Sequence, residues 1–161
     1  MLIFSVALSL KAPPFFSPEE ILSNALSWQE QTRQERKRAA RIDAILLTLR
    51  TIESGGNYEQ KGKSGEYGAY QWMPESFEQF SYRYYGELLD ITLPENQDKV
   101  ARRKVEELID NGLSEKEIAA VWNSGSHLGW ENKKGRNKHG VVYDVPKYVN
   151  KFILTLNQIE T

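Results

Sequence analysis

The sequence predicts a mainly α (α+β) fold of one domain with a single small β element, and three observations predict it. Apolar residues recur at three- and four-residue spacings in several stretches, which is the helical period. Two helix starts carry a capping box, Ser17-Pro18-Glu19-Glu20 and Ser114-x-x-Glu117. The stretch from Thr51 to Phe77 has five glycines, three tyrosines and one tryptophan. It is therefore too rich in glycine for a helix and aromatic enough for short strands.

The chain opens with a mainly apolar segment, residues 1–16, ahead of the predicted domain at residues 17–161. The run from Leu2 to Leu10 is too short to cross a bilayer as a helix, so no stable membrane span is expected. It has the character of an export-signal core, although no positive residue precedes it and no clear small-x-small cleavage site follows. Three interpretations stay open: a remnant of an export signal, a packed N-terminal segment, or the middle of a longer hydrophobic stretch.

Two predicted helices then lead to Glu53. A polar, charge-rich helix follows the Ser17 cap through about Arg36. From Ala39 the pattern changes, and one helical face becomes apolar, with Ile42, Ile45, Leu46, Leu49 and Ile52. This second helix includes Glu53 in its last turn and stops at Gly55-Gly56. Glu53 is therefore expected beside buried surface.

The rest of the chain is predicted to be helical apart from two loops. A small loop or β-hairpin is expected around Lys63-Ser64-Gly65, and a basic, glycine-bearing loop from Gly129 to Gly140. The predicted helices are Pro74 to about Tyr85, Pro94 to Asp110, Ser114 to Asn123, and about Pro146 to Gln158. No internal repeat or low-complexity linker divides the chain.

Composition excludes several classes of function. The 161 residues are 40% hydrophobic and 27% charged, which are ordinary values for a globular protein. A net charge of -1 argues against a general nucleic-acid binder, because such proteins carry a basic surplus. The absence of cysteine excludes disulfides, thiol nucleophiles and thiolate metal sites. His127 and His139 have no further ligand at metal-binding spacing, so no metal or cofactor is expected.

Three motifs, in this order, carry a resemblance to a known family. The first is Glu53-Ser54, then Asn57, then Gly68-Ala69-Tyr70-Gln71-Trp72-Met73-Pro74; the second is AAVWNSG, with Trp122 and Asn123; the third is VPKYVNKF, with Tyr148. Together they resemble soluble lytic transglycosylases, which share the goose-type lysozyme fold. The resemblance covers roughly residues 40 to 155. It implies a lysozyme-like domain with the hairpin beside an active-site cleft.

The same resemblance implies cleavage of the β-1,4 bond between N-acetylmuramic acid and N-acetylglucosamine in peptidoglycan. Glu53 would act first as general acid and later as general base, and the product would carry a 1,6-anhydromuramoyl end. Protonating a poor leaving group requires a carboxylic acid that stays protonated near neutral pH, and burial against apolar side chains raises the pKa of such a group. The alternative for Glu53 is a solvated helix-end carboxylate paired with a Lys or Arg.

The candidate substrate-binding residues lie on the same motifs. They are Ser54, Glu66, Tyr70, Gln71, Met73, Trp122, Asn123 and Tyr148. Gln71 and Asn123 either contact sugar or cap a neighbouring loop, and Tyr70 and Trp122 either stack on sugar or fill the core. Tyr148 is expected to hydrogen-bond near Glu53.

Glu66 departs from the family pattern, which has a small residue at its position. It could serve as a second base and favour hydrolysis, bind a peptide amine of the substrate, or be an exposed hairpin charge. Three functions therefore remain: a lytic transglycosylase, a goose-type lysozyme-like muramidase, and an inactive wall-binding module of a secretion machine or virion. The expected partner is the glycan strand of peptidoglycan. The protein is expected to act as a monomer in the cell envelope, in the periplasm or outside the cell, or to be delivered there by a phage.

Overall fold

The computed structural model describes residues 17–136 and 142–160. These residues form five α-helices and one two-stranded antiparallel sheet. The elements are α1 Pro18–Ser54, α2 Pro74–Tyr85, α3 Pro94–Asp110, α4 Glu115–Ser124, a 3₁₀ turn Trp130–Asn132, β1 Lys134–Arg136, β2 Val142–Asp144 and α5 Val145–Ile159. The prediction of a mainly α fold with one small β element is confirmed. The predicted N-terminal segment, residues 1–16, lies outside the described residues, as does the part of the basic loop that contains His139.

The first helix differs from the sequence prediction of two helices. Residues 18 to 54 form one continuous helix, α1. The expected division fell at Lys37-Arg38-Ala39-Ala40, which contains only strong helix formers and no Gly or Pro to end the helix. A change of surface pattern was therefore mistaken for a change of element. The predicted capping box at its start is present, since the Ser17 and Glu20 side chains each accept the other's backbone N–H.

Contacts divide the chain into two units, Met1–Lys37 and Arg38–Thr161. Within the first unit, residues 18–37 are exposed. The second unit contains the core, which the apolar face of α1 shares with α2 to α5 and with the loop before α2. Its largest fully buried apolar side chains are Ile42, Ile45, Leu49, Tyr70, Phe77, Ile118 and Phe152.

The β element lies in a different place from the one predicted. The ladder pairs β1 with β2, with Gly135 opposite Tyr143, inside the segment that was expected to be a basic loop. Around Lys63-Ser64-Gly65 the chain instead forms a tight turn held by two isolated bridges, Lys61 to Tyr67 and Tyr67 to Trp72. Short backbone pairing and side-chain bonds to α3 hold this loop, so it needs no regular strands.

The remaining helices match their sequence signals. α3 has the predicted bounds, Pro94 to Asp110. α4 begins with the predicted capping box of Ser114 and Glu117 and ends at Gly125, which adopts the left-handed conformation. In the described part of the chain, no helix is long and apolar enough to cross a membrane.

Candidate active site

The end of α1 holds Glu53 in a defined place. The buried side chains Ile45 and Leu49 hold the last turns of α1 against the core. Gly55 and Gly56 then take positive φ angles of 67° and 84°, and their N–H groups bond to the carbonyls of the last helical turn. This glycine stop turns the chain away directly after Glu53. The half-buried carboxyl therefore lies at a rigid helix end and not in a solvated loop.

Burial is the main influence on the Glu53 carboxyl. It raises the pKa of Glu53 above its ordinary value, because the charged form loses hydration. The hydrogen bond from Tyr148 and the positive charge of Lys151 both oppose this shift, whereas the negative charge of Glu66 reinforces it. The net pKa is raised, so the carboxyl holds a proton at a higher pH than an exposed glutamate does.

Tyr148 reaches Glu53 from the first turn of α5. Its hydroxyl donates to Glu53 Oε1 at 2.5 Å. Asp144 caps this helix by accepting from the Lys147 N–H, and the buried Val149 holds it on the core. Burial, followed by the charge of Glu53, raises the pKa of Tyr148 well above 10.0, so the phenol stays a donor. The predicted pairing of Tyr148 with Glu53 is present.

The loop between α1 and α2 folds back onto the end of α1. The Ser54 hydroxyl donates to the Ala69 carbonyl at 2.8 Å. The buried Gln97 of α3 accepts from the Ala69 N–H at 2.8 Å and donates to the carbonyls of Tyr58 and Ile91. Ser54, a predicted sugar contact, therefore uses its hydroxyl to join the helix end to this loop.

Gln71 occupies a strained position in the same loop. Its φ is 49°, a conformation that side-chain-bearing residues rarely adopt and that is often found at functional sites. Its amide nitrogen donates to the carbonyls of Gly68 and Gln60, which fits the alternative that it caps a neighbouring loop; the expected sugar contact stays a prediction. A Cβ at Gly62 would overlap both the Gln71 amide oxygen and the Glu66 carboxylate. These two side chains therefore both lie against Gly62.

Glu66 is half-buried and its Oε2 accepts the Ser64 N–H at 2.9 Å. With Tyr67, Ile91 and other loop residues it lines a cavity of about 340 Å³. Its charge also acts on the Glu53 carboxyl. Glu66 is thus electrostatically coupled to Glu53, which an isolated hairpin charge would not be.

A second cavity of about 340 Å³ has aromatic walls. Gln71, Met73 and Trp122 line it together with Tyr70 and Trp72. Tyr70 is buried and donates to Asp98 at 2.7 Å, and Trp72 packs on Trp122 with ring centroids 4.9 Å apart. Met73 is exposed and Trp122 is half-buried. Tyr70 therefore fills the core at its base, while Met73 and Trp122 remain accessible from the cavity.

Asn123 lies at the end of α4. It is exposed, and no residue in the described ranges forms a hydrogen bond with its side chain. Its amide is therefore free to meet a ligand, and the proposed sugar contact stays a prediction. Among the described residues, no group of His, Asp or Glu is arranged to hold a metal ion.

No protein-family model, curated protein or solved structure shows a significant match to this chain.

Three important residues were missed from the sequence. Gln97 occupies the buried face of α3 together with Val100, Ala101 and Val105. A polar residue at helical spacing on an apolar face could have indicated a buried hydrogen-bonding role. Lys104 lines the aromatic cavity, but in sequence it looks like one more charge on a charge-rich helix. Lys151 donates to the Ile52 carbonyl at 3.0 Å, close to Glu53, and no local pattern indicated this contact.

The charges around Glu53 predict two opposite shifts of its pKa. Glu66→Gln removes a negative charge and is expected to lower the pKa of Glu53, whereas Lys151→Met removes a positive charge and is expected to raise it. Carbon-13 NMR titration of the glutamate carboxyls measures both shifts without any substrate. Glu59→Gln changes an exposed glutamate of the same loop and is the control, with no shift expected. Shifts of the same sign in the two variants would contradict this account of the site.

Proposed function

We propose that this chain is a peptidoglycan lytic transglycosylase in which Glu53 is the general acid and base. One observation carries the proposal: a half-buried carboxyl at a helix end has a pKa raised by burial and is held by the Tyr148 hydroxyl at 2.5 Å. Such a group keeps its proton to a higher pH than an exposed glutamate does, and can deliver it in a fixed direction. The motifs that resemble soluble lytic transglycosylases, and the lysozyme-like fold that they imply, supply the substrate class.

The first step is protonation of the leaving group. Since Tyr148 donates to Oε1, the acidic proton of Glu53 lies on Oε2. This proton passes to the bridging oxygen between N-acetylmuramic acid C1 and N-acetylglucosamine C4. The C1–O bond then breaks, N-acetylglucosamine leaves with a hydroxyl, and the N-acetyl oxygen of the muramic acid stabilises the positive charge at C1.

The second step returns the proton. The C6 hydroxyl of the same muramic acid attacks C1, and the Glu53 carboxylate accepts its proton. The products are a 1,6-anhydromuramoyl end and a free N-acetylglucosamine end, and no water is consumed. Glu53 is again protonated, so one carboxyl suffices for both steps. Tyr148 keeps this carboxyl in one orientation throughout.

A muramidase is the second candidate, and the coupling of Glu66 to Glu53 favours it. In that reaction a water molecule attacks C1 while Glu66 accepts its proton, and the product is a reducing end. Such pairs of carboxyls are common in glycosidases. The transglycosylase is preferred because Glu66 accepts the backbone N–H of Ser64, which keeps one of its oxygens in a structural bond.

The proposed setting follows from the substrate. We place the protein with peptidoglycan, in the cell envelope, the periplasm or outside the cell, or carried there by a phage, and acting as a monomer on glycan strands. Neither a nucleic acid nor a cofactor takes part in this reaction.

Mass spectrometry of muropeptides tests the proposed function. Purified peptidoglycan digested by the wild-type protein is expected to yield anhydro ends, which are one water lighter than hydrolysed ends. The Glu53→Gln variant is expected to release neither product. If the wild-type digest instead contains hydrolysed ends, and the Glu66→Gln variant does not produce them, the protein is a muramidase. Binding to the wall without any cleavage would overturn both enzymes in favour of an inactive wall-binding module.

A further inference from the structure

Lys104 is surrounded by aromatic rings in the wall of the aromatic cavity. Its ammonium lies 5.0 Å from the ring centre of Trp72, 4.5 Å from that of Phe80 and 4.8 Å from that of Trp122. Ring faces stabilise a cation, so this cage favours an ammonium that has lost much of its water. Burial nevertheless lowers the pKa of Lys104 to about 8, which leaves it mostly charged at neutral pH.

This cation has no anionic partner in the described part of the chain. No residue there accepts a hydrogen bond from Lys104 or forms an ion pair with it. Glu107, one turn further along α3, supplies the one carboxylate charge that acts on it. That carboxylate is already bound by Arg83 and the Tyr84 hydroxyl. A partly desolvated ammonium without a hydrogen-bond acceptor is energetically unfavourable. An anion from outside the chain that accepts a hydrogen bond from it would therefore bind favourably here.

A second feature of the same cavity also attracts an anion. Met73 and Ser76, at the start of α2, line it together with Lys104. Met73, the N-cap of α2, forms no side-chain cap, so the N–H groups that follow Pro74 in the first turn are uncapped; the carboxylate of Glu75 lies in the same turn but does not line the cavity. A helix start carries partial positive charge and favours a negative group. The lysine and the helix start are on separate elements and point independently to the same kind of ligand.

We propose that the aromatic cavity, between the start of α2 and Lys104, binds a carboxylate of the substrate. This inference rests on the proposed function, which makes the ligand a muropeptide. The aromatic walls suit the apolar face of a sugar, and a single caged cation suits a monoanion better than a phosphate. Such a carboxylate has two sources: the peptide, where one is attached to muramic acid, and the lactyl group itself, where the peptide has been removed.

Binding of matched ligands tests the proposal. The first pair is N-acetylmuramic acid and its methyl ester, which differ in the lactyl charge. The second pair is N-acetylmuramoyl-L-alanyl-D-glutamate, in which the lactyl group is amidated, and its dimethyl ester. Wild-type protein is expected to bind the acid of one pair at least about tenfold more tightly than its ester. The pair that discriminates identifies the source of the carboxylate.

Variants then assign the discrimination to Lys104. Lys104→Met is expected to bind acid and ester equally, and Lys104→Arg to keep a preference for the acid. Lys99→Met is the matched control, because Lys99 also lies on α3 over an aromatic ring, that of Tyr85, but is exposed. It is expected to discriminate as the wild type does. The proposal would be overturned if the wild type bound the acid and the ester equally in both pairs, a result that needs no variant. It would also be overturned if Lys104→Met still bound the acid more tightly than the ester.

The cleavage assay separates this proposal from the proposed function. Wild-type protein that prefers the acid but releases no muropeptides would contradict the enzyme and leave the carboxylate site standing. Cleavage by a wild-type protein that binds acid and ester equally would contradict the site and leave the enzyme standing. Titrations followed through tryptophan fluorescence in a variant with Trp28→Phe and Trp130→Phe report on Trp72 and Trp122 alone, and so show whether the ligand binds beside them.

Discussion

Glu53→Gln is expected to abolish cleavage and, at neutral pH, to make the folded protein more stable. Gln cannot donate an acidic proton to the leaving oxygen, so the rate should fall by about 10²–10⁴-fold or more. The amide oxygen of Gln can still accept the hydrogen bond of Tyr148, so the local structure should be kept. Glu59→Gln, in the exposed part of the adjoining loop, is the control for both readouts.

The expected gain in the free energy of unfolding from Glu53→Gln increases as pH rises. Burial raises the pKa of Glu53 in the folded state above 4.5, so the folded protein binds this proton more tightly than the unfolded chain does. The contribution of Glu53 to stability is complete below about pH 4.5 and is lost as pH rises through the folded pKa. Gln does not ionise, so its advantage should be small at about pH 4 and larger at about pH 7. Urea unfolding at both pH values measures it, and an equal or smaller advantage at the higher pH would contradict the buried-acid account.

Local signals in the sequence predicted most of the helices, because each depends on residues close together in the chain. Pro94 and Asp110 bound α3 as expected, and the Ser114 capping box begins α4. The start of α1 was also correct, but its continuity was missed because the surface pattern changes while helix propensity does not. The position of the β ladder was missed because Lys134–Arg136 and Val142–Asp144 lack a strong alternating pattern.

The candidate site was predictable only in part, for the same physical reason. The pairing of Glu53 with Tyr148 joins residues 95 positions apart and came from motif resemblance rather than periodicity. The pKa of Glu53 depends on burial and on Lys151, which the chain brings together only when it folds. Lys104 shows the limit most clearly, since its sequence neighbours suggest a solvated charge and only the packing of Trp72 and Trp122 reveals the cage.

Gly68→Ala is expected to cause the largest loss of stability in the loop that faces Glu53. Gly68 has a φ of 83°, and a Cβ there would overlap the side-chain amide of Gln97. The alanine therefore adds backbone strain and also displaces Gln97 from the Ala69 N–H and from the carbonyls of Tyr58 and Ile91. Together these effects should lower the free energy of unfolding by about 3–5 kcal/mol. Gly65→Ala is the matched control, because Gly65 also has a positive φ, 102°, but open space around it. It should cost about 1–2 kcal/mol.

A double-mutant cycle with Gln97→Ala tests whether the overlap with Gln97 is the cause. Gln97→Ala alone should cost about 3–5 kcal/mol, since it leaves a buried N–H and two carbonyls without their partner and creates a cavity. Once the amide is gone, the Cβ at position 68 has nothing to displace, so Gly68→Ala should add only its backbone strain. The two changes together should therefore cost clearly less than the sum of the single changes. Additive losses would mean that backbone strain alone penalises Gly68→Ala, and that the alanine Cβ does not displace Gln97 from its three hydrogen bonds.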